Sequence, residues 1–358
     1  MTTTTKRRRV GIAGALVGAA SAGVAAAALA KRYAVGRIRL RPDTEASEPF
    51  GELRGRERTL ITSDGKALHV EIDGPEREHP WEDEDPPLTV VFCHGYCLSM
   101  ESWHYQRKDL RETHRLVLWD QRSHGRSQRA SAEECTIDRL GDDLAEVIDA
   151  FVPGPCVLVG HSMGGMTIMA LADRHPHLFG DKIRAVALLA TSAGKLAELT
   201  LGLPAVLSKV VHKVAPATVS MLGKRGSLID RTRNAGSDIA FLITRYVGFG
   251  DSKNVSPTVV DFAESMIRAT PTQVVADFYP ALMNHDKLSA LHVLDAVPTA
   301  ILVGDRDWLT PPDHSKAIAA ALPKAQLTEV PDTSHLIQLE RPGIVNDALR
   351  DLLKRVEP

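Results

Sequence analysis

From residue 88 onward, apolar runs of strand length alternate with amphipathic stretches of helix length. The runs predict strands at 88–93, 115–119, 155–160, 183–190, 298–303 and 326–330. The stretches between them predict helices at about 101–111, 137–151, 163–175, 312–322 and 343–355. Upstream, β-type runs at 58–62 and 67–72 flank Asp64-Gly65, which indicates a hairpin. This alternation is typical of an α/β fold with a mainly parallel sheet and helices on both faces.

Residues 195–285 interrupt the alternation. They contain apolar positions at helical spacing, such as Leu203, Val206, Leu207 and Val210, and no clear strand. A connection of this length is too long for a simple loop. We therefore predict one domain over 56–358 that carries an inserted helical cap at 195–285.

The N-terminus has a different pattern, which predicts a targeting or membrane segment at 1–30 and a polar linker at 31–55. Lys6-Arg7-Arg8-Arg9 precedes 21 uncharged residues, 10–30, whose length suits a membrane span. Ala28-Leu29-Ala30 also fits a signal-peptide cleavage site. We favour membrane association through residues 10–30, with export after cleavage near Ala30 as the alternative. The intact mass of the mature protein distinguishes the two.

Composition excludes some classes of function. The 358 residues carry a net charge of −2, and nine lysines and arginines lie within residues 1–41, so the remainder is acidic and a poor candidate for nucleic-acid binding. Four cysteines are too few for a disulfide framework. The acidic stretch 75–87 is read as a solvated loop and His175-Pro176-His177 as a helix-end turn, so we expect no metal and no cofactor. Length and composition leave the oligomeric state open.

The most informative motif is Gly160-His161-Ser162-Met163-Gly164, which lies between a predicted strand and a predicted helix. G-x-S-x-G in this context is typical of a nucleophile elbow, a strained turn that exposes a serine hydroxyl at the edge of a sheet. Side chains at the two glycine positions would collide with the neighbouring strand and helix. We therefore predict that Ser162 is a catalytic nucleophile.

A serine nucleophile needs a base and a carboxylate that orients the base. His335 lies in the loop after the last predicted strand, and Asp307 lies just after the strand at 298–303. The chain order serine, aspartate, histidine fits this type of sheet. Asp305 competes with Asp307, but Asp307 stands further from the strand end, and we expect Asp305 to cap the loop.

Catalysis of acyl transfer also needs N–H donors for the developing oxyanion. One is the backbone amide of Met163, which follows the nucleophile. The loop His94-Gly95-Tyr96-Cys97 after the first long strand offers the second, and we assign the Tyr96 amide. His94 is expected to be structural, whereas Tyr96, Cys97 and Trp103 are candidates to line the acyl pocket.

Together these residues resemble the α/β-hydrolase superfamily, in its serine esterase and lipase-like branch with a helical cap. The resemblance runs from about Arg58 to Val356 and includes His94-Gly95, the stretch from Asp120 to Ser127, the elbow, and Glu340-Arg341-Pro342 after His335. It implies that Asp307 and His335 complete a triad and that the insertion is a lid. Ser123 stands where the family usually has glycine. A serine at the elbow disfavours the epoxide-hydrolase and dehalogenase branches, which use aspartate there.

We therefore expect a serine hydrolase that cleaves carboxylic esters through an acyl-enzyme, with small, lipid-like or otherwise apolar esters favoured as substrates. A thioesterase, a C–C bond hydrolase and a cofactor-free, haloperoxidase-like perhydrolase share the same triad and stay open as alternatives. A different class, a non-catalytic membrane-tethered binding protein, would lack reactivity at Ser162.

Overall fold

The computed structural model describes residues 35–37, 43–75, 88–198 and 237–356. Its centre is an eight-stranded sheet with the strand order β1-β2-β4-β3-β5-β6-β7-β8. The strands are β1 Arg56–Ile61, β2 Ala67–Asp73, β3 Thr89–Cys93, β4 Arg115–Trp119, β5 Cys156–His161, β6 Ile183–Leu189, β7 Thr299–Gly304 and β8 Gln326–Val330. β2 pairs antiparallel with β1 and with β4, and every other neighbouring pair is parallel. The predicted α/β architecture is confirmed.

The helices described in the structure follow the predicted alternation. They are α1 His104–Leu110, α2 Ile137–Phe151, α3 Met163–Arg174, α4 Ser237–Gly248, α5 Pro257–Ala269, α6 Thr272–Met283, α7 Pro312–Ala321, α8 Ile337–Glu340 and α9 Pro342–Leu353. The helix predicted at 101–111 is divided, because residues Met100–Trp103 form a tighter 3-10 turn before α1. Among these helices, none has both the length and the apolar character needed to cross a membrane.

The sheet is covered on both faces, which explains why its central strands are apolar throughout. On one face, side chains of α2, α3 and α7 pack in a cluster that includes Leu144, Ile168 and Ile318. On the other face, α1 and α9 contribute a second cluster with Leu110 and Leu349. Every residue of β3, β4 and β5 is buried as a result.

The interruption predicted at 195–285 is helical where the structure describes it. α4, α5 and α6 lie between β6 and β7 in the chain, and Phe241, Phe249 and Val260 pack with Leu336 and Leu339 beside the C-terminal part of the domain. Residues 199–236 of the predicted cap lie outside the described residues. So do the predicted membrane or signal segment at 1–30, residues 31–34 and 38–42 of the linker predicted at 31–55, and residues 76–87 of the acidic stretch; those assignments stay predictions.

Candidate active site

Ser162 stands alone between β5, which ends at His161, and α3, which begins at Met163. Its backbone has φ 51° and ψ −116°, a left-handed conformation that is rare and strained for a residue with a side chain. Hydrogen bonds hold it there: its N–H donates to Leu189 O at 2.9 Å, and its carbonyl accepts from the Thr191 hydroxyl at 2.7 Å. The turn points the hydroxyl away from the sheet into a cavity.

The glycines around Ser162 are required by close backbone contacts. A Cβ at Gly164 would lie 1.9 Å from Cys93 O, and one at Gly160 would lie 2.6 Å from Gly164 O. No real carbon approaches backbone so closely, so β3, β5 and α3 can meet at this point only through glycine. The requirement for glycine at both positions, which we inferred from the motif, is therefore explained by these close contacts.

Gly164→Ala is expected to lower the free energy of unfolding by about 3 kcal/mol, because the added methyl must displace backbone in a packed core. Urea denaturation measures this change. Gly343→Ala is the matched control, since a Cβ at Gly343 has no atom within 4 Å and should change stability little. Equal stability of the two variants would contradict the close approach at the elbow.

Three predicted site residues are brought together in one hydrogen-bonded chain. His335 Nε2 lies 3.0 Å from Ser162 Oγ, and His335 Nδ1 lies 2.9 Å from Asp307 Oδ2. With a proton on Nδ1 donated to the carboxylate, Nε2 is left as an acceptor for the serine hydroxyl. This is the arrangement that lets a histidine take a proton from a serine.

The environment of Asp307 favours its charged form. Burial raises the pKa of Asp307, but the His335 charge and hydrogen bonds from His335 and Thr310 outweigh burial, so its pKa lies below the usual 3.8. Oδ1 accepts from the amides of Leu309 at 2.8 Å and Thr310 at 2.9 Å. Asp305, the alternative carboxylate, accepts from Thr333 N at 3.2 Å, and in the described part of the chain it makes no hydrogen bond to His335.

The loop that carries His335 is held by Glu340, a residue whose role the sequence patterns alone did not reveal. The Glu340 carboxylate is largely buried and accepts from the amides of Ser334 at 2.8 Å, Gly250 at 3.0 Å and Asp251 at 2.8 Å. Only the position of Glu340 five residues after His335 hinted at it, through the family resemblance. Glu340 therefore joins the histidine loop to the segment after α4.

His161 supports the base from the other side. Its Nε2 lies 2.8 Å from the carbonyl oxygen of His335 and donates to it. Complete burial, and to a lesser extent the neighbouring His335, lowers the pKa of His161 to about 3, so the ring is neutral. A neutral ring places no positive charge beside His335.

The loop after β3 lies directly against the nucleophile. A Cβ at Gly95 would be 2.6 Å from His161 Nδ1 and 3.3 Å from Ser162 Cβ, so the loop comes this close to the elbow because residue 95 is a glycine. Among the residues that the structure describes, neither the Tyr96 amide nor the Met163 amide donates to a hydrogen-bond acceptor. The Met163 amide is at the N-terminus of α3, where the helix dipole also favours negative charge. The Tyr96 hydroxyl donates to Val275 O of α6.

A mostly apolar cavity of about 630 Å³ opens at Ser162. It runs between the loop after β3, the start of α3, and α4 to α6. Its walls include Tyr96, Cys97, Leu98, Met166, Leu196, Ile243, Thr244, Val247, Ile267, Tyr279, Leu282, Met283, Leu309, Thr310 and Leu336. Two of the three predicted pocket residues, Tyr96 and Cys97, are therefore at the cavity.

Trp103 is the exception, and its assignment to the pocket was wrong. The side chain is fully buried, and its ring packs against Phe92 of β3 with centroids 5.1 Å apart. It belongs to the core cluster on the α1 and α9 face of the sheet, not to the cavity wall. Trp103 is close to the oxyanion loop in sequence, but its side chain lies in the core behind that loop.

Within the described residues, one cluster could offer oxygen and nitrogen ligands to a metal ion: Glu57, His69 and Glu71. It lies on β1 and β2, away from Ser162. The Glu71 carboxylate is already paired with the guanidinium of Arg107 at 2.7 Å and with Arg126. These cations neutralise the acidic group, so the cluster does not fit a metal centre.

The mainly parallel sheet and the serine on a strand-to-helix turn at its edge define a hydrolase of the α/β type. A model of the alpha/beta hydrolase fold family matches residues 89–342, and the chain belongs to that family. Ser123 departs from the family's usual glycine, yet it takes the left-handed φ of 67° that a glycine would take.

Relatives in this family cleave different bonds. A proline iminopeptidase of Pestalotiopsis fici is 24% identical over 305 residues, which cover 83% of this chain and 99% of the relative. An sn-1-specific diacylglycerol lipase of Mus musculus is 25% identical over 276 residues, 76% of this chain and 83% of the relative. A thermophilic esterase from Thermogutta terrifontis superposes with a TM-score of 0.62 at 24% identity, over 85% of this chain and all of that one. The family supports hydrolase activity in general.

Proposed function

We propose that the protein is a serine hydrolase that cleaves carboxylic esters with apolar acyl groups through an acyl-enzyme. The observation that carries the proposal is the hydrogen-bonded chain from Ser162 Oγ through His335 to Asp307 at the floor of the apolar cavity. A serine and a base at this distance are equipped for nucleophilic attack.

In the proposed mechanism His335 Nε2 takes the proton of Ser162 as Oγ bonds to the ester carbonyl carbon. The carbonyl oxygen becomes an oxyanion and accepts hydrogen bonds from the amides of Tyr96 and Met163. His335 then gives its proton to the leaving alcohol as the C–O bond breaks, which leaves an acyl-serine. Water, deprotonated by His335, attacks the acyl carbon. The bond to Ser162 Oγ then breaks, His335 returns the proton to Oγ, and the acid is released. Asp307 keeps the Nδ1 proton in place during both steps.

The cavity wall favours an uncharged substrate. Its described lining contains no aspartate, glutamate, lysine or arginine. A substrate with a charged amine or phosphate in the cavity would lose its hydration there without gaining a charged partner. Aliphatic side chains such as Ile243, Ile267 and Leu282 instead offer contacts to an acyl chain. One of the relatives is a diacylglycerol lipase, and diacylglycerol is an uncharged ester with apolar acyl chains.

A fluorophosphonate probe tests the proposal directly. We expect one covalent adduct on the peptide that contains Ser162, detected by mass spectrometry, because the probe reacts with a serine that is activated by its neighbours. Absence of an adduct in a folded preparation would overturn the proposal and favour a non-catalytic binding protein.

A series of p-nitrophenyl esters measures the preference for apolar acyl groups. Each methylene added from acetyl to octanoyl is expected to raise kcat/KM by about fourfold while the chain still gains buried contacts. An ester of the same length that ends in a carboxylate serves as the control and should react far more slowly, because its charge must be desolvated. Preference for acetyl, or faster reaction of the matching thioesters, would contradict the assigned substrate class.

A further inference from the structure

A buried polar chain lies behind the oxyanion loop, and the mechanism above does not use it. His94 follows β3, Gln121 follows β4, and Thr167 is in the second turn of α3. All three side chains are completely buried. Buried polar groups are costly unless they are hydrogen-bonded, so such a chain in a core calls for a physical explanation.

Gln121 is the centre of this chain. Its side-chain amide donates to the carbonyl oxygen of His94 at 2.6 Å, and its backbone N–H donates to His94 Nε2 at 2.9 Å. Its side-chain carbonyl accepts from the Thr167 hydroxyl at 2.6 Å. Gln121 therefore makes two hydrogen bonds to His94 and one to Thr167 of α3.

The hydrogen bonds of His94 are consistent with one neutral form of the ring. Nδ1 lies 2.8 Å from Gly95 O and donates to it, whereas Nε2 accepts from Gln121. Burial lowers the pKa of His94 to about 4, so the ring stays uncharged at neutral pH. The His94 ring thus connects the backbone of Gln121 to the backbone of Gly95 through two hydrogen bonds.

The two ends of the chain lie next to the two amides that are expected to bind the oxyanion. His94 precedes Tyr96 by two residues. At the other end, the Thr167 hydroxyl lies 3.0 Å from the carbonyl oxygen of Met163. Gln121 consequently links the segment that carries one amide to the helix turn that carries the other.

We propose that Gln121 is a positioning residue that, through His94 and Thr167, fixes the Tyr96 amide relative to the Met163 amide. The inference rests on the proposed function, because it assumes that both amides bind an oxyanion. Oxyanion stabilisation depends on donors that are already in place when the charge develops. Without the chain, the loop after β3 can shift relative to α3, and one donor loses its geometry while the cavity that binds the acyl group is unchanged.

Two variants and a conservative control test this inference in the full-length protein. Gln121→Met keeps the length of the side chain without its polar atoms, and Thr167→Val replaces the hydroxyl with a methyl of similar size. Thr167→Ser keeps the hydroxyl. For each we would measure kcat and KM with p-nitrophenyl octanoate and the inhibition constant of a trifluoromethyl ketone with the same acyl chain. Ser162 Oγ adds to that ketone, its proton passes to His335, and the resulting alkoxide mimics the oxyanion.

We expect Gln121→Met and Thr167→Val to lower kcat about tenfold to a hundredfold, with KM unchanged. Affinity for the ketone should fall by the same factor, since both measure the oxyanion. Thr167→Ser should keep the wild-type kcat. Melting curves establish that each variant is folded, and Thr167→Val keeps the test decisive if Gln121→Met does not fold.

The outcomes distinguish failure of this inference from failure of the proposed function. Folded variants whose kcat and ketone affinity equal those of the wild type would show that the chain serves stability only, and would overturn this inference alone. A rise in KM without loss of ketone affinity would also overturn it, because the chain would then position the substrate. A wild-type protein that neither hydrolyses the ester nor binds the ketone would overturn the proposed function, and this inference with it.

Discussion

Ser162→Ala is expected to lower the turnover of p-nitrophenyl octanoate by about 10⁶-fold. The substitution removes the hydroxyl that lies 3.0 Å from His335 Nε2. Alanine keeps the Cβ, so it can occupy the same backbone conformation at φ 51° and should leave the elbow folded. Initial rates at saturating ester, together with the melting temperature, separate loss of chemistry from loss of fold.

Ser289→Ala provides the matched control for this prediction. Ser289 is an exposed serine in the turn 288–296, and its replacement should leave both turnover and fluorophosphonate labelling at the wild-type level. Turnover that persists in Ser162→Ala protein free of wild type would show that another residue is the nucleophile. Loss of turnover in both variants would indicate that the preparation, not the site, is responsible.

The sheet could be predicted from sequence because its signals are local. Runs such as Val90-Val91-Phe92 are apolar at every position because helices cover both faces of the sheet, and the helices between them have their own period. The predicted strand bounds differ from the observed ones by at most two residues. The tighter turn at Met100–Trp103 was missed, since apolar spacing does not separate a 3-10 turn from the start of an α-helix.

The elbow was readable for a similar reason: a strand, two glycines and a helix within a short stretch dictate the turn. The meeting of Asp307 and His335 also follows from topology. β7 and β8 are parallel neighbours, with Gly304 opposite Val330, so the loops that follow them emerge side by side at the same edge of the sheet. A sequence that predicts two adjacent parallel strands therefore also predicts that the residues just after them can meet.

Side-chain direction and long-range contacts could not be read in this way. Trp103 is close to the oxyanion loop in sequence but packs on Phe92, because its 3-10 turn directs it toward the core. Glu340 and Gln121 act on backbone atoms of segments far away in the chain. No local pattern identifies a buried glutamate or glutamine as a support for a neighbouring loop, since its partners depend on tertiary packing.

The choice between the two carboxylates leads to the second large expected effect. Asp307→Asn should lower kcat by about 10⁴-fold. The amides of Leu309 and Thr310 donate to Oδ1, and an asparagine must keep its carbonyl oxygen there to accept them. Its NH₂ group then replaces Oδ2 opposite His335 Nδ1. Because that NH₂ can only donate, Nδ1 must become an acceptor and the ring proton moves to Nε2, where it prevents His335 from taking the proton of Ser162.

Asp305→Asn is the matched control. It makes the same change in charge and size at a position two residues away. Within the described residues the Asp305 carboxylate accepts one hydrogen bond, from Thr333 N at 3.2 Å, and the carbonyl oxygen of an asparagine can accept it equally well. We therefore expect kcat near the wild-type value, with at most a small loss of stability. Steady-state kinetics of the two variants side by side decides the assignment. A larger loss at Asp305 than at Asp307 would mean that the loop after β7 rearranges on substrate binding and that Asp305 orients the base.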